Sequence, residues 1–280
     1  MSGADPRAEA IAGLARHLRR RAAMGIRRLG PGPVGTPAAA APPPQAPAFV
    51  REPEPPVAAP PPAPVTIAAP PLPDRPVDST GARTPAQIAP ECLNLEQLRA
   101  AVANCRACEL CQTRTQTVFM DGNAAPGGVC FVGEAPGEQE DRQGLPFVGP
   151  AGQLLNDIIT KGMGLRRDQV TIANVLKCRP PGNRDPLPEE KALCTPFLDR
   201  QIELIQPRVL IPLGVHATRH LLGTEGSLSS LRGQVYERGT CKVVPTFHPA
   251  FLLRNPAAKR DCWQDIQRAM AEAGLQRPGQ

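Results

Sequence analysis

The stretch VCFVGEA, residues 129–135, is a run of apolar and β-branched side chains that ends in glycine and opens into the loop GEAPGEQEDRQGLPFVGPAG (133–152). A short run without polar alternation is the pattern of a strand buried on both faces, as in a parallel sheet. Three more such runs follow: VTIANVLK (170–177), RVLIPLG (208–214) and KVVPTFH (242–248). Helical patterns lie between them, AGQLLNDIITKGM (151–163), PEEKALCTPFLDRQIELI (188–205) and VHATRHLLG (215–223). A terminal helix, PAAKRDCWQDIQRAMAEAG (256–274), opens on proline and ends at glycine. This alternation predicts an α/β fold with a parallel sheet and helices on both faces. Functional residues should then sit at the carboxyl ends of the strands. That rule selects three loops: the one after residue 133, NVLKCRPPGNR (174–184) and HPAFLLRNP (248–256). The first matches neither GxGxxG nor GxxxxGK[ST], so it gives little support to a nucleotide phosphate cradle.

Outward from this core the composition changes. Of 36 prolines, 20 fall between residues 31 and 90, in runs such as PAAAAPPPQAPAF that carry no apolar periodicity. Such a segment cannot bury enough surface to offset backbone ordering, so residues 31–90 read as a disordered Pro/Ala-rich linker. Before it, within residues 1–30, Ile11, Leu14 and Leu18 at helical spacing face Arg16, Arg19, Arg20 and Arg21, predicting a short basic amphipathic helix. It reads as a marginal helix with a solvated face, a docking peptide for a protein partner or an extra phosphate contact. Asp5 and Glu9 argue against a cleaved targeting peptide. No apolar stretch approaches the length of a membrane span. Residues 1–90 hold ten Lys or Arg against six Asp or Glu, leaving 22 against 20 for the remainder. A nucleic-acid role for the folded part, residues 91–275, must therefore rest on locally placed cations.

Nine cysteines without a secretion signal disfavour structural disulfides. CRACELC (105–111) contains the pair Cys105 and Cys108, and fifteen residues separate Cys178 from Cys194. A zinc ribbon would supply two tight knuckles, and only one is tight here. Four thiolates around an iron-sulfur cluster tolerate uneven spacing, so from spacing an iron-sulfur cluster, zinc and unligated thiols all remain open, with iron-sulfur ahead. Cys92, Cys130, Cys241 and Cys262 fall in helical or strand patterns and read as core residues. Cys111 is either a spare ligand or a packing residue.

Taken together, these motifs resemble the family 4 uracil-DNA glycosylases, the iron-sulfur branch of that superfamily. The resemblance spans about residues 91–273 and is carried by C-x2-C-x-L-x3-R (Cys105–Arg114), GEAPGEQED-x2-G-x-PFVG-x-AG-x-LL (Gly133–Leu155), NVLKCRPPGNR, Cys194 and HPAFLLRNP. It implies a three-layer α/β/α sandwich with a central four-stranded parallel sheet. It also implies a 4Fe-4S cluster held by Cys105, Cys108, Cys178 and Cys194. The implied activity is hydrolysis of the N-glycosidic bond of uracil in DNA during base excision repair. A cytoplasmic, nucleoid-associated monomer acting on uracil-containing DNA is the matching expectation.

Excision requires the nucleotide to leave the stack. Phe147 is then expected against the uracil face. Asn174, at a strand end, offers a donor for O4 and an acceptor for N3–H, a pattern that cytosine reverses. The resemblance implies that His248 donates to O2 as charge builds on the departing base. Backbone N–H groups near Gly133, Glu134 and Ala135 would add to that anion site. In the wider superfamily an acidic residue that orients the attacking water often stands where Ala135 is found here. Glu134 or Glu140 must then take that work, or leaving-group stabilisation carries the rate. Glu140 is also a candidate wall against the methyl of thymine. Leu252 with its neighbours Phe251 and Leu253 would wedge into the minor groove, and Arg254, Arg179 and Arg184 would contact phosphates. Two rival readings are a covalent uracil-DNA crosslinking relative and a non-catalytic iron-sulfur DNA-binding or polymerase-accessory protein. The first needs a basic insertion that is absent after GEAPGEQED, and the conjunction of Asn174, Phe147 and His248 argues against the second.

Overall fold

The computed structural model describes residues 83–276 and the backbone of one further strand, Ile26–Arg28. The rest of the expected N-terminal helix and residues 31–82 of the expected linker lie outside the described residues. Two expectations need correction at these boundaries. Ile26–Arg28 lies inside the segment read as helical, yet it pairs antiparallel with Tyr236–Arg238, filling the open hydrogen-bonding edge of that strand. Residues 83–90, assigned to the linker, begin the folded unit. Thr84 and Gln87 form a capping box for the turn Pro85–Ile88, and Ala89 is buried.

The strands in chain order are β1 (Ile26–Arg28), β2 (Asp121–Gly122), β3 (Val129–Gly133), β4 (Thr171–Asn174), β5 (Val209–Pro212), β6 (Tyr236–Arg238) and β7 (Cys241–Val243). They form one sheet in the order β1-β6-β7-β5-β3-β4-β2. The four apolar runs lie side by side, with β4, β3, β5 and β7 paired in parallel. β2, β6 and β1 add antiparallel edges. The sheet is therefore mixed and wider than the four-stranded parallel sheet expected. Its extra strands are two or three residues long and largely polar, so no apolar run announces them.

The helices that matter below are α1 (Leu95–Ala103), α2 (Glu138–Gln143), α3 (Pro150–Asp157), α4 (Pro188–Ile205), α5 (Val215–Leu222), α6 (Pro249–Arg254) and α7 (Lys259–Ala273). Successive side chains of β3 point to opposite faces, which gives the sheet two cores. Cys130 and Val132 pack with Leu98, Leu198 and Leu221 from α1, α4 and α5. Val129 and Phe131 pack with Leu155, Leu252 and Ile266 from α3, α6 and α7. Cys92, Cys130, Cys241 and Cys262 are buried, as their positions suggested. No helix among the described residues is long and apolar enough to cross a membrane.

Candidate functional site

The carboxyl ends of β3 and β4 and the segment after β7 open on one cavity of about 580 Å³. Its walls include Glu134, Phe147, Asn174, Arg184, His248 and Arg254, so the three loops selected from the sequence do converge. Gly133 and Asn174 are partners across β3 and β4. A Cβ at Gly133 would collide with Asn174 Oδ1 and stand 2.5–2.6 Å from the Phe147 ring. Glycine is required there so that the amide and the aromatic ring can meet behind the strand end. Asn174 is 2% exposed, and its Oδ1 is buried without a hydrogen-bond partner among the described residues. An acceptor left so costs about 1–3 kcal/mol, which a ligand donor in the cavity would recover.

Phe147 has φ +55°, in the left-handed region that costs a non-glycine residue about 1–3 kcal/mol. Its ring lies 5.6 Å from the His248 ring, centroid to centroid, tilted by 34°. Glu140, on α2, accepts the amides of Val148 and Gly149 through Oε1, both at 2.9 Å. It borders the cavity, but that oxygen is committed to bracing the turn.

His248 caps α6. Its Nδ1 accepts the Ala250 amide at 3.1 Å, which leaves the ring proton of the neutral form on Nε2. Burial, reinforced by the charge of Arg254, lowers its pKa to about 4, while Glu140 acts in the opposite sense. The side chain is thus a neutral donor under physiological conditions.

Glu134 is half-buried in the cavity wall. Burial, and then the negative charge of Asp185, raises its pKa to about 7, with Lys191 opposing. His216 Nε2 lies 3.9 Å from Glu134 Oε2 and 3.9 Å from Asp185 Oδ2. Among the described residues these are the one set of three metal-type donors whose ligand atoms all lie within 4.8 Å. The charge of Lys191 acts on both Glu134 and His216 and opposes a cation there. Ala135 lines the cavity beside Glu134.

The DNA-facing expectations divide. Leu252 is a correction: it is 1% exposed because it packs against the α3 and α7 side of the sheet. Its neighbours Phe251 (36%) and Leu253 (47%) are the exposed apolar residues of α6. Arg184 is bound through both terminal nitrogens to Glu190, and Arg179 donates from Nε to Asn183 Oδ1 and pairs with Glu138 at 3.8 Å. Arg254 is exposed and carries no ion pair among the described residues.

Cys105, Cys108, Cys178 and Cys194 face one small cavity, together with Cys111. No three of these sulfurs lie within 4.8 Å of one another. Around one tetrahedral zinc with bonds of about 2.3 Å, all four would stand about 3.8 Å apart. The Lys177 amide donates to Cys194 Sγ at 3.3 Å and Arg114 donates to Cys178 Sγ at 3.1 Å. Burial nevertheless pushes the Cys108 thiol up to about 11 and that of Cys194 up to about 12.

Lys177 joins the two sites and was missed in the sequence. Only 1% exposed, it donates from Nζ to the Asn174 carbonyl at 2.7 Å and to Gln201 Oε1 at 2.5 Å. Burial lowers its pKa to about 8 against the pull of nearby thiols. A lysine embedded in the apolar run VLKC, with no polar neighbour on either side, is the signal that could have found it.

Residues 119–267 match the model of the uracil DNA glycosylase superfamily. A type-4 uracil-DNA glycosylase of Thermotoga maritima is 45% identical over 179 residues, covering 62% of this chain and 92% of that protein. The enzyme of the same name from Sulfurisphaera tokodaii is 43% identical over 183 residues, covering 62% and 83%. That from Archaeoglobus fulgidus is 39% identical over 193 residues, covering 66% and 96%. With its cavity at the strand ends and a superfamily match over more than half its length, this chain belongs to the uracil DNA glycosylase superfamily.

Proposed function

We propose that this chain is a uracil-DNA glycosylase of the type-4 branch, releasing free uracil from DNA and leaving an abasic site for repair. The observation that carries the reading is the meeting at one cavity wall of Asn174, whose buried Oδ1 has no hydrogen-bond partner among the described residues, with the Phe147 ring and the His248 donor. An everted uracil stacks on Phe147, gives its N3–H to Asn174 Oδ1 and accepts from the amide nitrogen at O4. As the bond between C1′ and N1 breaks, its electron pair passes to the base and the Nε2–H of His248 stabilises the charge spreading onto O2. Water adds to C1′. Glu134 in its ionised form orients that water and takes its proton, while Glu140, whose Oε1 accepts the Val148 and Gly149 amides, braces the turn. Arg254 takes a phosphate of the uracil strand, and Phe251 with Leu253 fills the gap left by the base.

The test is an incubation of the purified chain with a uracil-containing oligonucleotide. Free uracil and an alkali-labile strand are expected; a stable protein-DNA adduct or an untouched strand would refute the assignment. The pH profile tests Glu134. Because the ionised carboxylate is required, turnover should rise as pH passes about 7 and level off above it. A rate already flat well below that point would remove Glu134 from the water.

We also propose that Cys105, Cys108, Cys178 and Cys194 hold a 4Fe-4S cluster. The four-sulfur donor set, its spread beyond single-zinc geometry and the N–H and guanidinium donors to Cys194 and Cys178 support this. Bound there, the group supplies positive charge that keeps buried thiolates deprotonated, and it braces the 178–194 loop. It lies outside the chemical step. A brown protein is expected, with Cys178→Ser bleaching it and lowering its melting temperature; a colourless wild-type protein with one zinc per chain would overturn the ligand set. The N-terminal arm ahead of β1 is proposed to recruit partners, so base release should survive removal of residues 1–25, which leaves β1 and the folded segment from Arg83 in place.

A further inference from the structure

We propose that Arg167 is a positioning residue for uracil excision, whose guanidinium pins the left-handed turn that presents the Phe147 ring to the flipped base. The inference rests on the reading of this cavity as a uracil site. A phenylalanine at φ +55° persists only where its surroundings over-determine it. Glu140 holds the Val148 and Gly149 amides on one side of the turn. Arg167 holds the other side, donating from Nη1 to the Phe147 carbonyl at 3.2 Å and from Nη2 to the Pro146 carbonyl at 2.5 Å.

The fork is itself fixed. Arg167 Nε donates to Asp121 Oδ2 at 2.8 Å, and Nη1 donates to Asn156 Oδ1 at 2.7 Å. Asp121 lies on β2 and Asn156 on α3, so a sheet edge and a helix share the guanidinium. Two glycines make room for the arrangement. A Cβ at Gly122, where φ is +87°, would strike the Val170 carbonyl, and one at Gly152 would strike the Phe147 carbonyl. Arg167 is not part of the cavity wall, so its influence on the base must pass through the turn. Lysine, with one compact ammonium, cannot reproduce a planar fork that reaches four acceptors.

The test is a double-mutant cycle in the full chain on a uracil-containing oligonucleotide. Arg167→Met is expected to raise KM about tenfold, the scale of one base-aromatic stack, with kcat changed by less than about threefold. Phe147→Ala should raise KM at least as much. The double variant should be no worse than Phe147→Ala to within about twofold, since the arginine acts only through that ring. Arg167→Lys should fall between Arg167→Met and the unaltered chain. Additive losses in the double variant, or an unchanged KM in Arg167→Met, would overturn the proposal. If Arg167→Met does not fold, Asn156→Ala frees the fork on one side and enters the same cycle. A smaller rise in KM, absent in the Phe147→Ala background, is then the supporting result, and a rise that persists there is the opposing one. An unaltered chain that releases no uracil sinks the functional reading along with this one, whereas an active chain with additive losses sinks this one alone.

Discussion

His248→Leu is expected to slow uracil release about 10²–10³-fold, the loss that follows removal of one donor aimed at a developing oxyanion. Leucine keeps an apolar surface against Phe147, whose ring centroid lies 5.6 Å from that of His248, so the effect should fall on turnover more than on binding. The donor is set by the backbone: the Ala250 amide occupies Nδ1, which leaves the proton of the neutral ring on Nε2. Burial, with Arg254 nearby, keeps the pKa near about 4, so the ring is already neutral where an ordinary histidine still titrates. The rate should therefore show no decline as pH rises through the usual histidine range, since no proton is lost there. Single-turnover release by wild type and variant checks both points. A loss below about tenfold would mean that another group carries the charge on O2.

What the sequence disclosed and what it concealed follow from the range of the interactions involved. β3, β4 and β5 were legible because each is an apolar run buried on both faces, and β7 because Cys241 and Val243 are buried and the run continues into buried Val244, although Lys242 is half-buried. Gly133, Phe147, Asn174 and His248 could be brought to one cavity because strand ends in a parallel sheet share one edge. Asp121–Gly122 and Tyr236–Arg238 carry no such run; their pairing is dictated by neighbours far along the chain. Leu252 misled because a helix of six residues turns alternate parts of an apolar triplet inward and outward, and sequence spacing does not fix its phase. Lys177, despite its place in an apolar run, and Arg167 were passed over for another reason. Lysine and arginine are read as surface residues, and only tertiary structure surrounds one with the Asn174 carbonyl and Gln201, and the other with Asp121, Asn156 and two carbonyls. The arginines with bland alternatives as solvated residues split on the same ground, Arg184 being held by Glu190 while Arg254 is open.

Asn174→Asp is expected to cut uracil release about a hundredfold and to shrink the preference for uracil over cytosine by at least the same factor. The argument starts from the wall behind the side chain. Lys177 fixes the Asn174 backbone through its carbonyl, and the absence of a Cβ at Gly133 lets Oδ1 sit where no described residue satisfies it. Its side chain, 2% exposed and packed against Gly133 and Phe147, offers one donor and one acceptor to a base in the cavity. Uracil presents the complementary pair, N3–H and O4, whereas cytosine presents an acceptor and an amino group, which leaves two buried polar groups facing like partners. Aspartate removes the donor that O4 requires and supplies an acceptor for the cytosine amino group, and its protonated form would also donate to N3. The two substrates should then converge from both directions, uracil losing and cytosine gaining. Paired release rates from oligonucleotides that differ only at the target base measure the ratio. A ratio equal to that of the wild type, with uracil release reduced, would make Asn174 a structural support of the strand end and move base selection to the Phe147 turn.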